Sequence, residues 1–177
     1  MAVTRHLALW ACALSKKPET VAFLIEQGAD VNVIDSNGMT PLIWAAGIGQ
    51  PGAVELLVGQ GADLETVEIH QQETAVMRAA RIGNIENLRI LVDAKADLEK
   101  TNLLGQSAVI IACSAAPVEK IQLLVDAGVN LESRDARGWS VLDHARARTD
   151  SNRGAVIEFL EATVPAKVKD ATPAVGG

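Results

Sequence analysis

Residues 35–46 read Asp-Ser-Asn-Gly-Met-Thr-Pro-Leu-Ile-Trp-Ala-Ala, and the stretch they open closes at Gly61-Ala62-Asp63. Asp35-Ser36-Asn37-Gly38 has the composition of a tight polar turn. Thr40 can accept a hydrogen bond at a helix N-terminus, and Pro41 suits the first helical position, where its missing N–H costs nothing. The pair Ala45-Ala46 lets a second helix approach closely. Gly49 is expected to end the first helix in a left-handed conformation, as is Gly83 further along the chain. Val54, Leu56 and Leu57 then form the apolar face of a second short helix, which Gly61 ends.

The same markers return at a fixed pace. Gly28-Ala29-Asp30 recurs as Gly61-Ala62-Asp63, Lys95-Ala96-Asp97 and Gly128-Val129-Asn130, at steps of 33, 34 and 33 residues. Thr40-Pro41-Leu42 is echoed by Thr74-Ala75-Val76, Ser107-Ala108-Val109 and Ser140-Val141-Leu142. Each is followed by an alanine, at 45, 79, 112 and 145. Leu88, Ile90 and Leu91, then Ile121, Leu123 and Leu124, repeat the second apolar face. Periods of this length signal stacked supersecondary units.

The pattern resembles the ankyrin repeat, a turn and two helices followed by a hairpin finger, from residue 2 to about 161. The resemblance implies an all-α solenoid of stacked helix-turn-helix units with β-hairpin fingers. The repeats fall at about 2–34, 35–67, 69–101, 102–134 and 135–163, giving one domain over 1–163. Residues 164–177 read as a disordered tail. Arg5 and Leu7-Ala8 replace the turn glycine and the Thr-Pro pair, as suits an N-terminal cap. The third repeat carries an extra residue around Val67-Glu68-Ile69 and places Lys95 where a helix-ending glycine belongs. A left-handed Lys95 would cost roughly 1 kcal/mol. The fifth repeat is lengthened over 146–154, and a last helix near 155–162 closes the array.

Composition narrows the function. Hydrophobic residues make up 49% of the 177, yet aromatics only 3%, which suits close-packed short helices. A net charge of −6 lacks the basic footprint of a nucleic-acid surface. No apolar run reaches the length of a membrane span, and residues 1–10 lack the apolar core of a leader. A cytoplasmic location is expected, or a periplasmic or secreted one if a leader has been removed. Cys12 and Cys113 fall three repeats apart with no CxxC spacing, so both read as buried, reduced thiols. His6, His70 and His144 lie in alternate repeats and share no metal. Asp143-His144 reads as a helix-cap and packing pair. No phosphate-binding glycine motif is present. The expectation is no catalytic residue, no cofactor and no metal, and not an enzyme.

The resemblance further implies a protein partner on a concave face made by finger tips and inner-helix ends. By register that face takes Met39 and Ile48 from the second repeat, and His70, Gln71, Glu73 and Arg81 from the third. The fourth gives Leu103 and Leu104, and the fifth Arg137, Trp139 and Arg148. The first repeat would add Val3, Thr4, His6 and Leu14. Leu103, Leu104 and Trp139 are apolar where finger tips should be polar, and Trp139 reads as the anchor. Arg81, Arg137 and Arg148 against Glu73 leave the strip net positive, matching an acidic patch on the partner. Trp10 and Trp44 read as packing residues. Arg78, in the slot of Trp44, must be solvated or paired. The expected function is a non-catalytic module, monomeric when free, that binds and inhibits or regulates one dedicated protein, as an immunity protein or inhibitor does. The alternative is a structural adaptor or anchor.

Overall fold

Short capped helices follow from these residues throughout the computed structural model, which describes residues 18–164. The described chain forms two compact units, one ending at Asp97 and the other beginning at Leu98. The first holds α1 (Pro18–Glu26), α2 (Pro41–Ile48), α3 (Pro51–Gly59), α4 (Ala75–Arg81) and α5 (Ile85–Asp93). The second holds α6 (Ala108–Ala115), α7 (Val118–Asp126), α8 (Val141–Arg146) and α9 (Arg153–Thr163). Val3, Thr4, His6, Trp10, Cys12, Leu14 and the tail beyond Val164 lie outside the described residues.

The inner helices start where their caps dictate. Thr40 Oγ1 accepts from Ile43 N at 3.2 Å, and Thr74 Oγ1 from Met77 N at 3.5 Å. Ser140 and Asp143 form a reciprocal capping box. Pro41 and Pro51 sit at the first positions of α2 and α3. In the first unit α2 packs on α4 and α3 on α5; in the second α6 packs on α8 and α7 meets α9. Leu42, Leu57, Met77, Leu88 and Leu91 are fully buried in the first unit, and Ile110, Ile121, Leu124 and Leu142 in the second. Fully burying each such side chain contributes about 1.5–3 kcal/mol.

The outer helices end as the glycines predict. Gly28, Gly61 and Gly128 all have positive φ, and Lys95 takes the same conformation at φ 66° despite its Cβ. The inner helices end differently. Gly49 is extended, at φ −80° and ψ 179°, and Gly83 is not left-handed either. Gly83 is instead a close-approach site. A Cβ there would lie 2.2 Å from Ala46 O and 2.8 Å from Ala79 Cα. The expected left-handed ends of α2 and α4 are therefore corrected to an extended exit and a steric requirement.

The fingers are shorter than β-hairpins. Asp35 N donates to Met39 O at 3.0 Å, Asn102 N to Gln106 O at 3.1 Å and Asp135 N to Trp139 O at 3.0 Å. One such bond closes each turn. Only an isolated antiparallel bridge, Arg134 with Ser140, forms among the described residues. The all-α class holds, with turns in place of hairpin strands.

Candidate protein-binding surface

Each finger is organised by one acceptor side chain at its base. Asp35 Oδ1 accepts from Asn37 N at 2.7 Å and Met39 N at 3.0 Å. Asn102 Oδ1 does the same for Leu104 N and Gln106 N, and Asp135 Oδ1 for Arg137 N and Trp139 N. The third repeat has one more residue to span, and there the acceptor is the longer Glu68. Its carboxylate takes His70 N at 2.7 Å, Gln71 N at 2.6 Å and Glu73 N at 3.2 Å. The extra residue and the extra methylene thus compensate. Burial alone would raise the Glu68 pKa, but these three N–H groups outweigh it and hold the carboxyl below its ordinary value.

The helix position shared by Trp44, Arg78 and His144 reaches back to its finger. Trp44 Nε1 donates to Asp35 Oδ2 at 3.1 Å. Arg78 Nη1 lies 3.5 Å from Glu73 Oε2, which supplies the partner its charge requires. His144 Nε2 lies 3.0 Å from Asp135 Oδ2, and because a carboxylate only accepts, this nitrogen carries the proton. Burial lowers the His144 pKa and prevails over the Asp135 carboxylate, which would raise it. Asp143 caps α8 and His144 packs, the local roles expected of that pair.

Three expected contact residues are withdrawn from the surface by this framework. Met39 is 4% exposed and Glu73 1%, the latter held by Arg81 Nε at 2.8 Å. Arg148 is 6% exposed; its Nη1 donates to Cys113 O at 3.2 Å and Ala116 O at 2.8 Å. It caps the last carbonyls of α6 and also binds Asp150. Asn87 does the same for α2, donating to Ala45 O, Ala46 O and Gly49 O at 3.0–3.2 Å. The net-positive strip also falls away. Arg81 pairs with Glu73, Arg137 with Asp135 at 3.1 Å and Arg148 with Asp150 at 2.9 Å.

The other expected residues do face solvent. Ile48, His70 and Gln71 are exposed in the first unit, with Arg81 half-buried. His70 Nε2 approaches Asn37 Oδ1 at 3.4 Å, and His70, Gln71 and Met39 border one cleft together with Trp44 and Arg78. Ile69 is exposed on the same finger, and Ile82 at the end of α4. Sequence reasoning passed over Ile69 as a contact, though the 34-residue step marked that finger as unusual. In the second unit Leu103 is 55% exposed and Leu104 51%. Ala136 N donates to Leu104 O at 2.9 Å, tying the two neighbouring fingers together. Trp139 is half-buried, with the Arg137 guanidinium 4.5 Å above its ring and His144 edge-on at 5.4 Å. Cys113 is buried and forms no disulfide with any described residue.

Among the described residues no helix is long and apolar enough to cross a membrane, and no three His, Cys, Asp or Glu side chains gather where a metal ion would fit.

The chain matches the family model of ankyrin repeats (3 copies) over residues 8–102 and 76–169. It is 37% identical over 90 residues to the ankyrin repeat domain-containing protein SAT10 of Stachybotrys chartarum, covering 51% of this chain and 5% of that protein. It is 29% identical over 111 residues to the ankyrin repeat and KH domain-containing protein mask-1 of Caenorhabditis elegans, 62% of this chain and 4% of that one. A further likeness, 29% over 106 residues, is to the neurogenic locus notch homolog protein 1 of Homo sapiens, again 60% against 4%. The chain therefore spans only a small part of the relatives it matches. The family match covers most of the chain, so the chain belongs to the ankyrin-repeat family.

Proposed function

We propose that this chain is a non-catalytic protein-binding module that grips one dedicated protein partner through the finger tips of its second unit, and so inhibits or regulates it. Ankyrin repeats are protein–protein interaction modules, which supplies the class. The observation that carries the specific reading is the pair Leu103 and Leu104, both half-exposed at the tip of a turn. Leucines have no local reason to stand in water on a turn, and apolar clusters so placed mark interaction sites. They are also preorganised. Leu104 N is fixed by Asn102 Oδ1 at 2.9 Å and Leu104 O by Ala136 N, so little ordering entropy is lost on docking. Trp139, covered by Arg137, adds an aromatic anchor of the type that dominates hot spots.

With Arg137 and Arg148 both ion-paired, the acidic patch first expected on the partner loses its support at these fingers. An apolar patch able to take Leu103, Leu104 and Trp139 fits them better. The test is capture from the native cell lysate by the wild-type chain and by Leu103→Ser/Leu104→Ser. A protein retained by the first and lost by the second supports the reading; equal retention overturns the surface. Adding the chain to that protein at equal concentration then separates regulation, where the partner's activity changes, from anchoring, where it does not.

A further inference from the structure

The outer helices of the second unit, α7 and α9, leave an open groove of about 470 Å³ between them. Its floor is apolar. Val118 and Phe159 are half-buried there, and Ala155 and Ala162 are exposed. Ala155, Phe159 and Ala162 follow at spacings of four and three, so they form one stripe along α9. The rims are acidic. Glu119 and Glu158 border the groove, both are exposed, and neither has an ion-pair partner among the described residues. The nearby cations are turned elsewhere. Lys120 is buried, Arg153 Nε donates to Arg146 O at 3.0 Å, and Arg146 pairs with Glu161 at 3.3 Å. The residues bordering the groove therefore carry two carboxylates and no cation.

The chain itself holds a complement close by. α9 ends at Thr163, next to Ala162. Val164 is extended, at φ −70° and ψ 132°, and its N–H donates to Leu160 O at 2.7 Å. Pro165 has no N–H with which to continue the helix, so the chain leaves α9 at one end of the groove. Lys167-Val168-Lys169 follows, two cations around one apolar residue.

We propose that the chain's own residues 166–169 fill this groove, turning back along α9 with Val168 on the Phe159 ring and Lys167 and Lys169 paired with Glu158 and Glu119. The reach matches. From Ala162 back to Ala155 is about 10 Å at the helical rise, and three extended residues span about the same distance. The tether matters as much as the contacts. Exposed ion pairs are weak individually, but a segment joined directly to the end of α9 meets the groove at a high effective concentration. The segment acts as a cap, since an end unit of a repeat array has no neighbour to cover its outer side. The reading of 164–177 as a disordered tail then applies only beyond residue 169. The cap is separate from the finger tips, and neither reading depends on the other.

The test is NMR on the full chain with labelled valine methyls and phenylalanine rings. Val168 is assigned with Val168→Ala and the ring with Phe159→Leu. Nuclear Overhauser contacts from the Val168 methyls to the Phe159 ring are expected at low salt. Raising salt to about 0.5 M should weaken them severalfold. Glu119→Lys/Glu158→Lys should abolish them, and so should Lys167→Glu/Lys169→Glu. All four changes together should restore them, because the charges are complementary again. Glu119 and Glu158 are exposed, so their reversal leaves the packed helices intact. No contact in the wild type, contacts that survive either reversal, or no recovery in the fourfold variant would overturn the proposal. Contacts seen only between differently labelled chains in a mixed sample would give the groove to a second copy and overturn it equally. Leucine-dependent capture of a partner is unaffected by any of these outcomes.

Discussion

Gly83→Ala should destabilise the protein through close approach of backbone, since its φ lies outside the left-handed region. The added Cβ would sit 2.2 Å from Ala46 O, 2.8 Å from Ala79 Cα and 3.0 Å from Ala79 O. Favourable carbon contacts begin near 3.5 Å, so the Ala46 carbonyl must retreat by roughly 1 Å. All three atoms are backbone, and no rotamer change relieves them. Overpacking of this kind costs about 1–3 kcal/mol. Ala46 O also accepts from Asn87 Nδ2 at 3.2 Å, and displacing it weakens a buried hydrogen bond worth about 0.5–1.5 kcal/mol. The sum is roughly 3 kcal/mol. Gly128 is the control: its φ is +87° and its Cβ position is open, so Gly128→Ala costs only the left-handed penalty of about 1–2 kcal/mol. Asparagine separates the two causes, because it tolerates the left-handed region. Gly128→Asn should recover much of the loss, whereas Gly83→Asn should be as bad as Gly83→Ala or worse. Urea unfolding at constant m-value measures all four. A Gly83→Ala loss under about 0.5 kcal/mol, or rescue of that site by Asn, would refute the close-approach account.

Arg148→Met keeps the apolar stem but leaves Cys113 O and Ala116 O without their donor; at about 1–3 kcal/mol per buried acceptor, a loss of roughly 2–5 kcal/mol should appear in a urea melt. Burial alone would raise the Asp135 pKa, but the N–H groups of Trp139 and Arg137, the Arg137 guanidinium and His144 together pull it down, while burial lowers His144. Both folded values lie below the unfolded ones, so stability is complete above about pH 6.5 and falls with acid, first through His144 and then, below about pH 4, through Asp135. His144→Gln should flatten the upper part of a stability–pH curve and leave the lower part. Burial pushes the Cys113 thiol up to about 12, with Arg148 only partly opposing it; in a Cys12→Ser background a thiol reagent at pH 8 should react only after denaturant is added. Leu57→Ala and Leu124→Ala should each cost about 2–5 kcal/mol, since both side chains are fully buried.

What the sequence made legible was local. Thr40, Thr74 and Ser140 bond to backbone three residues away, and Gly28, Gly61 and Gly128 answer to their own φ. Position and residue type therefore suffice to read them. Lys95 was readable for the same reason, because the period carries the conformation through a residue that does not favour it. What register misplaced depends on partners far along the chain. Arg148 is buried because carbonyls 32 and 35 residues earlier need a donor, and nothing in 146–154 says so. Glu73 looks like a rim charge until two arginines one and two helical turns on fold back over it. Gly83 resembles a helix-ending glycine in spacing, and only the packed α2 backbone shows that space, not φ, demands it. Finger-tip exposure was the legible part of the surface for Leu103 and Leu104, since a turn tip offers them nowhere to bury. Met39 lay on a finger by register too, but its side chain turns inward.

The central claim is that a protein partner docks on the finger tips of the second unit. Amide hydrogen exchange of the chain, alone and bound to the protein it captures, tests it directly. The account predicts slowed exchange at residues 103–105 and 136–139, with the exposed ends of α7 and α9 unchanged. Slowing confined to α7 and α9, with the finger amides unaffected, would contradict it.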